Sequence, residues 1–294
     1  MRVAVVGATG TIGRPLVAAL AAAGHQVTAI SRSGRPVTGA DAVVAADASD
    51  IDATREALGG AEVVYHLVHS LGQPDFEERD RTAARAVAGG ASAGGASQVV
   101  FLGGLGEERA ELSAHLRSRA ETAAILSEGT VPVTTLRAAM IVGADSAAFE
   151  TILALVDRLP VMICPRWVSV ETQPVALVDV VAALVVVCGR EESSGTTYDV
   201  GGPEVMTYRA MIERTARLRG RRPLLIEVPV LTPWLSSLWL HLVTPVNAAV
   251  TRPLIEGLKI PTLAQEDSIW ELVPASRTGF DDAVRAALAA TASA

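Results

Sequence analysis

The sequence predicts an α/β fold, in which a doubly wound parallel sheet carries helices on both faces. Short Val- and Ile-rich runs alternate along the chain with longer segments of helical pattern, as in βαβ units. The first run, 2–6, breaks into a glycine-spaced loop just before a helix. Half of the 294 residues are hydrophobic, which is enough for a large core and a small C-terminal, substrate-side subdomain.

The loop after the first strand has the spacing of a phosphate-binding turn, with Gly7, Gly10 and Gly13. The first glycine lets the strand turn sharply, the second lets a pyrophosphate approach the backbone, and the third lets helix and strand pack closely. Unpaired N–H groups at the helix start then face the anion. We expect a dinucleotide here; the alternative is a βα turn that binds nothing.

The spacing G-x-x-G-x-x-G over 7–13 resembles that of the extended and atypical short-chain dehydrogenase/reductases. The resemblance covers most of the chain and implies a Rossmann fold that binds NAD or NADP. We therefore expect Thr9, Thr11 and Ile12 to contact the cofactor together with the glycines. Arg14, directly after the third glycine, is a candidate second phosphate contact.

The end of the second strand, 26–30, discriminates between the two cofactors. Ser31 and Arg32 follow it, and no acidic residue is present to bind the adenosine ribose of NAD. A hydroxyl and a guanidinium suit a 2′-phosphate, so the sequence favours NADP over NAD. The alternative is that Arg32 and Arg35 are solvated loop charges.

The next two strands add residues to the expected ligand crevice. In this fold, the loops at the carboxyl ends of the strands line that crevice. The third strand, 41–46, ends at Asp47 and Ala48, which the resemblance places beside the adenine. A helix N-cap is an equally physical role for Asp47 or Asp50. The fourth strand, 62–67, leads into residues expected to face the cofactor or substrate: Leu67, Val68, His69 and Ser70.

Three features of the next segment are interpreted as structural. His66, within the fourth strand, is expected to be a satisfied core residue. The helix 75–93 opens with a charged run, 75–81, that predicts a solvated face with i,i+4 pairs. The glycine-rich run 89–95 predicts a flexible turn and not a nucleotide site.

The fifth strand, 98–102, and the helix after it stand where the resemblance implies the catalytic groups. Relatives place a serine at the strand end and a Tyr-x-x-x-Lys on the helix, which hold and protonate a carbonyl. Here Gly103 stands at the strand end, and His115 and Arg119 replace the tyrosine and lysine. No displaced copy exists, because Lys259 is the only lysine and follows none of the three tyrosines at that spacing.

His115 and Arg119 are the candidate catalytic residues, and their spacing of four puts them on one helical face. His115 can act as a general acid, because an imidazole titrates near neutral pH. Arg119 can place a cation beside the nicotinamide ribose, but its pKa above about 12 prevents it from passing protons. The alternative is that both are exposed helix residues of a protein that binds NADP without rapid turnover.

The remaining chain continues the alternation until the core closes near residue 228, and Thr207 is expected to cap the helix 208–218. Residues 1–228 form the predicted NAD(P)-binding domain, with the substrate region starting at about residue 145. The rest, 229–294, is predicted to be an apolar helical segment that acts as a lid or an oligomer face. Its apolar run, 230–258, is too short and interrupted to span a bilayer, and it lacks the Lys/Arg-rich face of a membrane-surface helix.

Charge and targeting signals narrow the function further. The net charge of −7 gives no basic field for nucleic acid. The first strand follows Met1 without a basic leader or hydrophobic signal segment, so we expect a cytoplasmic protein. Cys164 and Cys188 belong to no metal-ligand cluster and are interpreted as reduced, buried residues, so no metal is expected.

Retention of the cofactor loop without the Tyr-x-x-x-Lys resembles the atypical, NmrA-like branch, which contains reductases of quinones and other electrophiles as well as cofactor-sensing regulators. The sequence favours an NADP-dependent oxidoreductase that reduces an apolar, ketone- or quinone-like small molecule. The alternative is an NAD(P)H-binding sensor with little turnover. An epimerase or dehydratase of nucleotide sugars is disfavoured by the missing tyrosine.

Overall fold

The computed structural model describes residues 1–73, 75–106, 113–228 and 259–292. Its strands, in chain order, are β1 (Arg2–Val6), β2 (Gln26–Ser31), β3 (Ala42–Ala45), β4 (Val63–His66), β5 (Gln98–Gly104), β6 (Val133–Ala138), β7 (Ile141–Val142), β8 (Val161–Cys164), β9 (Glu171–Thr172), β10 (Val175–Ala176), β11 (Thr197–Val200), β12 (Met206–Thr207) and β13 (Leu224–Glu227). Its helices are α1 (Gly13–Ala22), α2 (Ile51–Ala57), α3 (Phe76–Gly94), α4 (Ala114–Ser127), α5 (Ala147–Arg158), α6 (Leu177–Val186), α7 (Tyr208–Leu218), α8 (Ile269–Leu272) and α9 (Phe280–Ala292).

Seven strands form a central sheet in the order β11-β6-β5-β4-β1-β2-β3, and every neighbouring pair is parallel. The chain winds from β1 through β2 to β3 on one side, then returns to β4 on the other side of β1. This reversal leaves a crevice at the carboxyl ends of β1 and β4, where ligands of such sheets bind. The predicted doubly wound Rossmann fold is confirmed.

The residues of β1 show why the sheet is covered on both faces. Val3 and Val5 belong to the hydrophobic cluster that includes side chains of α1 and α6. Ala4 and Val6 point to the opposite face and join the cluster that includes side chains of α3. Since successive strand residues alternate between faces, a strand buried on both sides reads as a continuous apolar run.

The expectation of a flexible turn over 89–95 is wrong, because α3 continues through this run. Only Gly95, with φ of 75°, leaves the helix. A methyl group at Gly90 would lie 2.9 Å from Leu58 Cδ1, and one at Gly94 would lie 3.0 Å from the Leu58 carbonyl oxygen. The missing side chains let α3 pack against the end of α2, which offsets the low helix propensity of glycine.

The other predicted elements are present, and two shifted ends bear on the site. α1 begins at Gly13 and not near Thr11 as the loop spacing predicts, so residues 7–12 stay free of helix. β5 runs on through Gly104, two residues further than predicted. The predicted cap of α7 is confirmed, because the Thr207 hydroxyl oxygen accepts a hydrogen bond from Ala210 N at 3.2 Å.

A smaller core on the substrate side is built largely by α5, α7 and α9. Residues 259–292 are part of the same body, since Ile269 is buried in the sheet core and the hydroxyls of Thr172 and Thr262 lie 2.7 Å apart. The apolar run 230–258 lies outside the described residues, so its role as lid or oligomer face stays a prediction, as does the domain boundary at 228.

Two further expectations concern burial and membranes. Cys164 is buried as predicted, whereas Cys188, just beyond α6, is only partly buried. In the part of the chain that the structure describes, no helix combines the length and apolar character needed to cross a bilayer.

Candidate cofactor and substrate site

Two adjoining cavities occupy the carboxyl edge of the sheet and share Leu67, His69 and Leu71 from the loop after β4. The first, here called the polar cavity, has a volume of about 260 Å³ and is lined by these predicted cofactor residues: Gly7, Thr9, Gly10, Ser31, Arg32, Asp47, Ala48, Leu67, Val68 and His69. The second, here called the apolar cavity, has a volume of about 350 Å³ and is lined by these predicted site residues: Thr11, Ile12, Leu67, His69, Gly103, His115 and Arg119.

Gly13 and Arg14 line neither cavity. A methyl group at Gly13 would lie 2.3 Å from the Gly7 carbonyl oxygen, so this glycine allows α1 to pack on the loop. The Arg14 guanidinium forms an ion pair with Asp145, whose carbonyl oxygen also accepts a hydrogen bond from the Thr11 hydroxyl at 2.8 Å. Contact between Arg14 and a phosphate stays a prediction.

The loop between β1 and α1 has the shape that a pyrophosphate requires. Gly7 has φ of +93°, a conformation that favours glycine, and its N–H donates to the Ile30 carbonyl oxygen at 3.0 Å. A methyl group at Gly10 would meet only the Gly7 carbonyl oxygen, at 3.3 Å. The backbone at Gly10 is therefore open, and the residues present fit a dinucleotide.

Two arginines stand at the wall of the polar cavity, Arg32 from the end of β2 and Arg79 from α3. The sequence reasoning missed Arg79, because it lies in the charged run interpreted as a solvated face. Hydrogen bonds from Ser49, aided by both guanidinium groups, lower the pKa of Asp47. Asp50 is the residue that caps α2, since its carboxylate accepts from Asp52 N at 3.1 Å and Ala53 N at 3.0 Å.

The apolar cavity lies beyond the glycine loop, against the ends of β5 and β6. Most of its wall is aliphatic, and it is contributed by Leu102, Leu105, Leu116, Ala138, Ala139, Met140 and Ile141. The sequence reasoning also did not assign Tyr208, the first residue of α7, to this wall. Burial raises the pKa of its phenol, an effect that the neighbouring Thr172 and Thr262 side chains oppose. An apolar cavity with few polar groups suits a small, largely apolar ligand.

Arg119 is held against the inner wall of the apolar cavity. Its guanidinium donates to the carbonyl oxygens of Val68, at 3.2 Å, and Leu102, and its carbon Cζ lies 4.5 Å from the centre of the Phe101 ring. Only 6% of the residue is exposed, and His115 is half-buried. The interpretation of both as exposed helix residues is therefore wrong, while their catalytic role stays a prediction.

His115 belongs to a chain of hydrogen-bonded side chains that leads away from the cavity. Its Nδ1 lies 3.0 Å from His69 Nε2, and His69 Nδ1 lies 2.9 Å from Asp80 Oδ2. Asp80 also accepts from Ser70 N at 2.8 Å and from the Ser118 hydroxyl at 2.9 Å. The sequence reasoning missed Asp80, which lies in the same charged run as Arg79.

Burial sets the protonation of these groups. It lowers the pKa of His115 to about 3 and also lowers that of His69. Burial alone would raise the pKa of Asp80, but hydrogen bonds from His69 and Ser70 bring it to about 2. At neutral pH the site therefore contains an ionised carboxylate and two neutral imidazoles.

His66 differs from the expectation of a satisfied core residue. It is fully buried and stacked on Phe101, with the ring centres 5.9 Å apart. Neither of its ring nitrogens has a hydrogen-bond partner among the described residues. Burial lowers the pKa of its imidazole to about 3, so this histidine is neutral and contributes packing only.

Two known proteins share parts of this sequence. A 3-diazoavenalumate denitrifying reductase from a Streptomyces species is 51% identical over 73 residues, which are 24% of each chain. Subunit 9 of the NADH dehydrogenase (ubiquinone) 1 alpha subcomplex of Arabidopsis thaliana mitochondria is 26% identical over 239 residues, 76% of this chain and 60% of the relative. The chain thus spans less than two-thirds of the length of either relative.

Solved structures extend the likeness over the whole fold. MoeE5, in complex with UDP-glucose and NAD, has a TM-score of 0.76 at 17% identity, covering 100% of this chain and 99% of its own. The NADPH-dependent quinone oxidoreductase QOR2 of Escherichia coli has a TM-score of 0.75 at 18% identity, covering 96% and 98%. The triphenylmethane reductase of a Citrobacter species, complexed with NADP(H), has a TM-score of 0.73 at 18% identity, covering 97% and 100%.

A family model described as NAD(P)H-binding matches residues 7–153, which contain the glycine loop, the loop after β4 and the helix with His115. This match covers half of the chain. Together with the fold shared with reductases and a nucleotide-sugar-binding protein, it shows that the chain belongs to the NAD(P)H-binding family of atypical short-chain dehydrogenase/reductases.

Proposed function

We propose that this protein is an NADPH-dependent reductase of an apolar, ketone- or quinone-like small molecule. The observation that carries the proposal is that the polar cavity, which the glycine loop lines, adjoins the apolar cavity and shares Leu67, His69 and Leu71 with it. A dinucleotide held by the loop would have room in the polar cavity for its adenosine part and in the apolar cavity for its nicotinamide. Its nicotinamide supplies a hydride, and the apolar cavity excludes water around the acceptor.

The preference for NADP rests on the charges of the polar cavity. Arg32 and Arg79 both line it, and a 2′-phosphate is the group of NADP that two guanidinium ions would bind. Ser31 adds a hydroxyl to the same wall. Two of the similar structures are described with NADP(H) or as NADPH-dependent, whereas MoeE5 is described with NAD, so only the charges of this chain support the finer assignment.

The reaction would proceed without the usual tyrosine and lysine. The apolar cavity has the aliphatic wall that a hydrophobic acceptor needs, with His115 and Arg119 at one side. The site then contributes position and electrostatics. The names of the Streptomyces, Escherichia coli and Citrobacter proteins, all reductases or oxidoreductases, support this reaction class for the chain.

A second candidate function is an NAD(P)H-binding sensor with little turnover. Burial lowers the pKa of His115 to about 3, so a protonated imidazole is scarce at neutral pH. The Arg119 guanidinium is already bonded to two backbone carbonyls. A cofactor loop beside a wall without a ready proton donor suits binding more than catalysis.

One experiment separates the two functions. Binding of NADPH and of NADH is measured by calorimetry on the full chain, and the loss of nicotinamide absorbance is then followed with a panel of quinones and apolar ketones. Tight NADPH binding with oxidation by any acceptor supports the reductase. Tight binding without oxidation by the panel favours the sensor, and no binding of either cofactor contradicts both.

A further inference from the structure

A chain of hydrogen bonds joins the apolar cavity to a carboxylate buried beneath it. Asp80 is fully buried on α3. His69 bridges Asp80 and His115, with distances of 2.9 Å and 3.0 Å on its two sides. Because His115 lines the apolar cavity, three hydrogen-bonded side chains lead from a buried charge to a residue at the wall where an acceptor would bind.

The direction of every hydrogen bond in this path follows from the groups at its buried end. An ionised Asp80 only accepts, and it accepts from Ser70 N and from the Ser118 hydroxyl. His69 must therefore carry its proton on Nδ1 and accept at Nε2, since a neutral imidazole has one donor and one acceptor. His115 must then donate from Nδ1, which leaves a bare lone pair on Nε2.

We propose that Asp80 and His69 are positioning residues that hold His115 with a bare Nε2, so that His115 accepts the proton of a substrate hydroxyl in the apolar cavity. This inference rests on the proposed function and names its substrate class as a secondary alcohol and the corresponding ketone. An orienting carboxylate behind a working histidine fixes both its tautomer and its ring orientation.

The proposal accounts for both directions of the reaction. When the alcohol is oxidised, its O–H bond breaks and the proton bonds to His115 Nε2, while the hydride of the carbinol carbon goes to the nicotinamide. The imidazolium that forms on His115 keeps its Nδ1 proton in the hydrogen bond to His69, and the ionised Asp80 stabilises this charge through His69. For reduction the path must first hold one extra proton, which it then returns to the oxygen of the former carbonyl.

The groups around the imidazole pair set the pH dependence. Arg119 from α4 and His66 from β4 face it, together with Asp80 from α3. Burial lowers the pKa of His115 most, His69 and Arg119 lower it further, and Asp80 opposes them. The extra proton is therefore scarce at neutral pH, so the rate of reduction should rise as the pH falls, while the rate of oxidation should not.

Histidine-selective ¹⁵N NMR on the full chain reads the tautomers without cofactor or substrate. At neutral pH we expect a protonated Nδ1 and a bare Nε2 on His115. In Asp80→Asn, we expect the backbone N–H of Ser70 to donate to the amide oxygen of the new side chain, as it donates to the carboxylate of Asp80. The amide NH₂ then lies beside His69 Nδ1. That NH₂ donates, so both imidazoles should switch to the tautomer protonated on Nε2.

Asp179→Asn is the matched control. Asp179 is also a buried carboxylate, and it accepts two hydrogen bonds from Thr278, at 2.7 Å from the backbone N and 2.8 Å from the hydroxyl. His115 should keep its tautomer in this variant. A proton on Nε2 of His115 in the unsubstituted protein overturns the proposal, and this measurement needs no variant. A folded Asp80→Asn protein in which His115 keeps its original tautomer also overturns it.

A kinetic measurement separates this inference from the proposed function. With NADP⁺ and a panel of secondary alcohols, Asp80→Asn should lower kcat by about 100-fold, the size of a general acid–base contribution, with the KM for NADP⁺ unchanged. The rate at which the Asp80→Asn variant reduces the corresponding ketones should no longer rise as the pH falls. An unchanged kcat overturns the role of Asp80, whereas a protein that binds no NADPH contradicts the proposed function and leaves the tautomers to be judged by NMR.

Discussion

Two glycines of the first loop have different physical roles, and alanine at each should separate folding from cofactor binding. A methyl group at Gly13 would lie 2.3 Å from the Gly7 carbonyl oxygen and 2.8 Å from two backbone atoms of Ala8. All three contacts are with backbone, so α1 must shift away from the loop. Overpacking of this kind costs about 1–3 kcal/mol, which lowers Tm by roughly 2–5 °C for a chain of this size.

Alanine at Gly10 should act differently. Its methyl group would meet only the Gly7 carbonyl oxygen, at 3.3 Å, so the unfolding free energy should change by less than about 0.5–1 kcal/mol, as for sites away from the core. The same methyl group occupies the space through which a pyrophosphate approaches the backbone. We expect NADPH affinity to fall at least about tenfold, or about 1.4 kcal/mol.

Urea unfolding measures the stability of both variants, and calorimetry measures their affinity for NADPH, with Gly89→Ala as the control. Gly89 is exposed on α3 with nothing within 4 Å of an added methyl group, so alanine there should stabilise by up to about 1 kcal/mol. The reasoning is refuted if Gly13→Ala is as stable as the unsubstituted protein, or if Gly10→Ala binds NADPH with undiminished affinity.

Three further predictions concern single side chains. Arg79→Ala should weaken NADPH binding about tenfold or more, the worth of one hydrogen bond to a charged group, and leave NADH binding unchanged in calorimetry; equal losses for both cofactors would place Arg79 away from the 2′-phosphate. Burial lowers the pKa of His66 from 6.5 to about 3, so the unfolded state binds its proton first and stability is lost as the pH falls from about 6.5 towards 3. His66→Phe should reduce this loss of stability by about 3 kcal/mol between neutral pH and pH 4, measured by urea unfolding; an unchanged slope would contradict the assigned pKa. Arg137→Met should cost about 3–5 kcal/mol, because it leaves the fully buried Asp199 carboxylate, 2.7 Å from the guanidinium, without its cation. Arg219→Met, which breaks a partly exposed pair, should cost less than about 1 kcal/mol, and similar costs for the two would argue against the buried pair.

The glycine loop and the order of strands and helices were predictable because their causes are local. Residues 3–6 are apolar on both faces of the strand, and a glycine with positive φ follows them, so strand, turn and helix follow from neighbouring residues. Thr207 likewise signalled the start of α7 by the hydrogen bond of its own hydroxyl. Elements of this kind can be predicted without knowing which distant parts of the chain pack against them.

The composition of the site was decided only by the tertiary structure. Arg79 and Asp80 are adjacent in one charged run, yet one lines the polar cavity and the other is fully buried beneath the apolar cavity. Their sequence neighbours do not distinguish them, because the difference arises from the elements that pack around α3. The glycines of α3 show the same effect. The close packing that Gly90 and Gly94 allow against Leu58 outweighs their local preference for a turn.

The sequence by itself determined the fold class, the cofactor loop and the absence of a Tyr-x-x-x-Lys, because each depends on residue type and spacing along the chain. The tertiary structure decided the burial of Arg119, the second arginine of the polar cavity and the path from Asp80 through His69 to His115. Those features depend on side chains from α3, α4 and the loop after β4 meeting in space, and no local pattern encodes such a meeting.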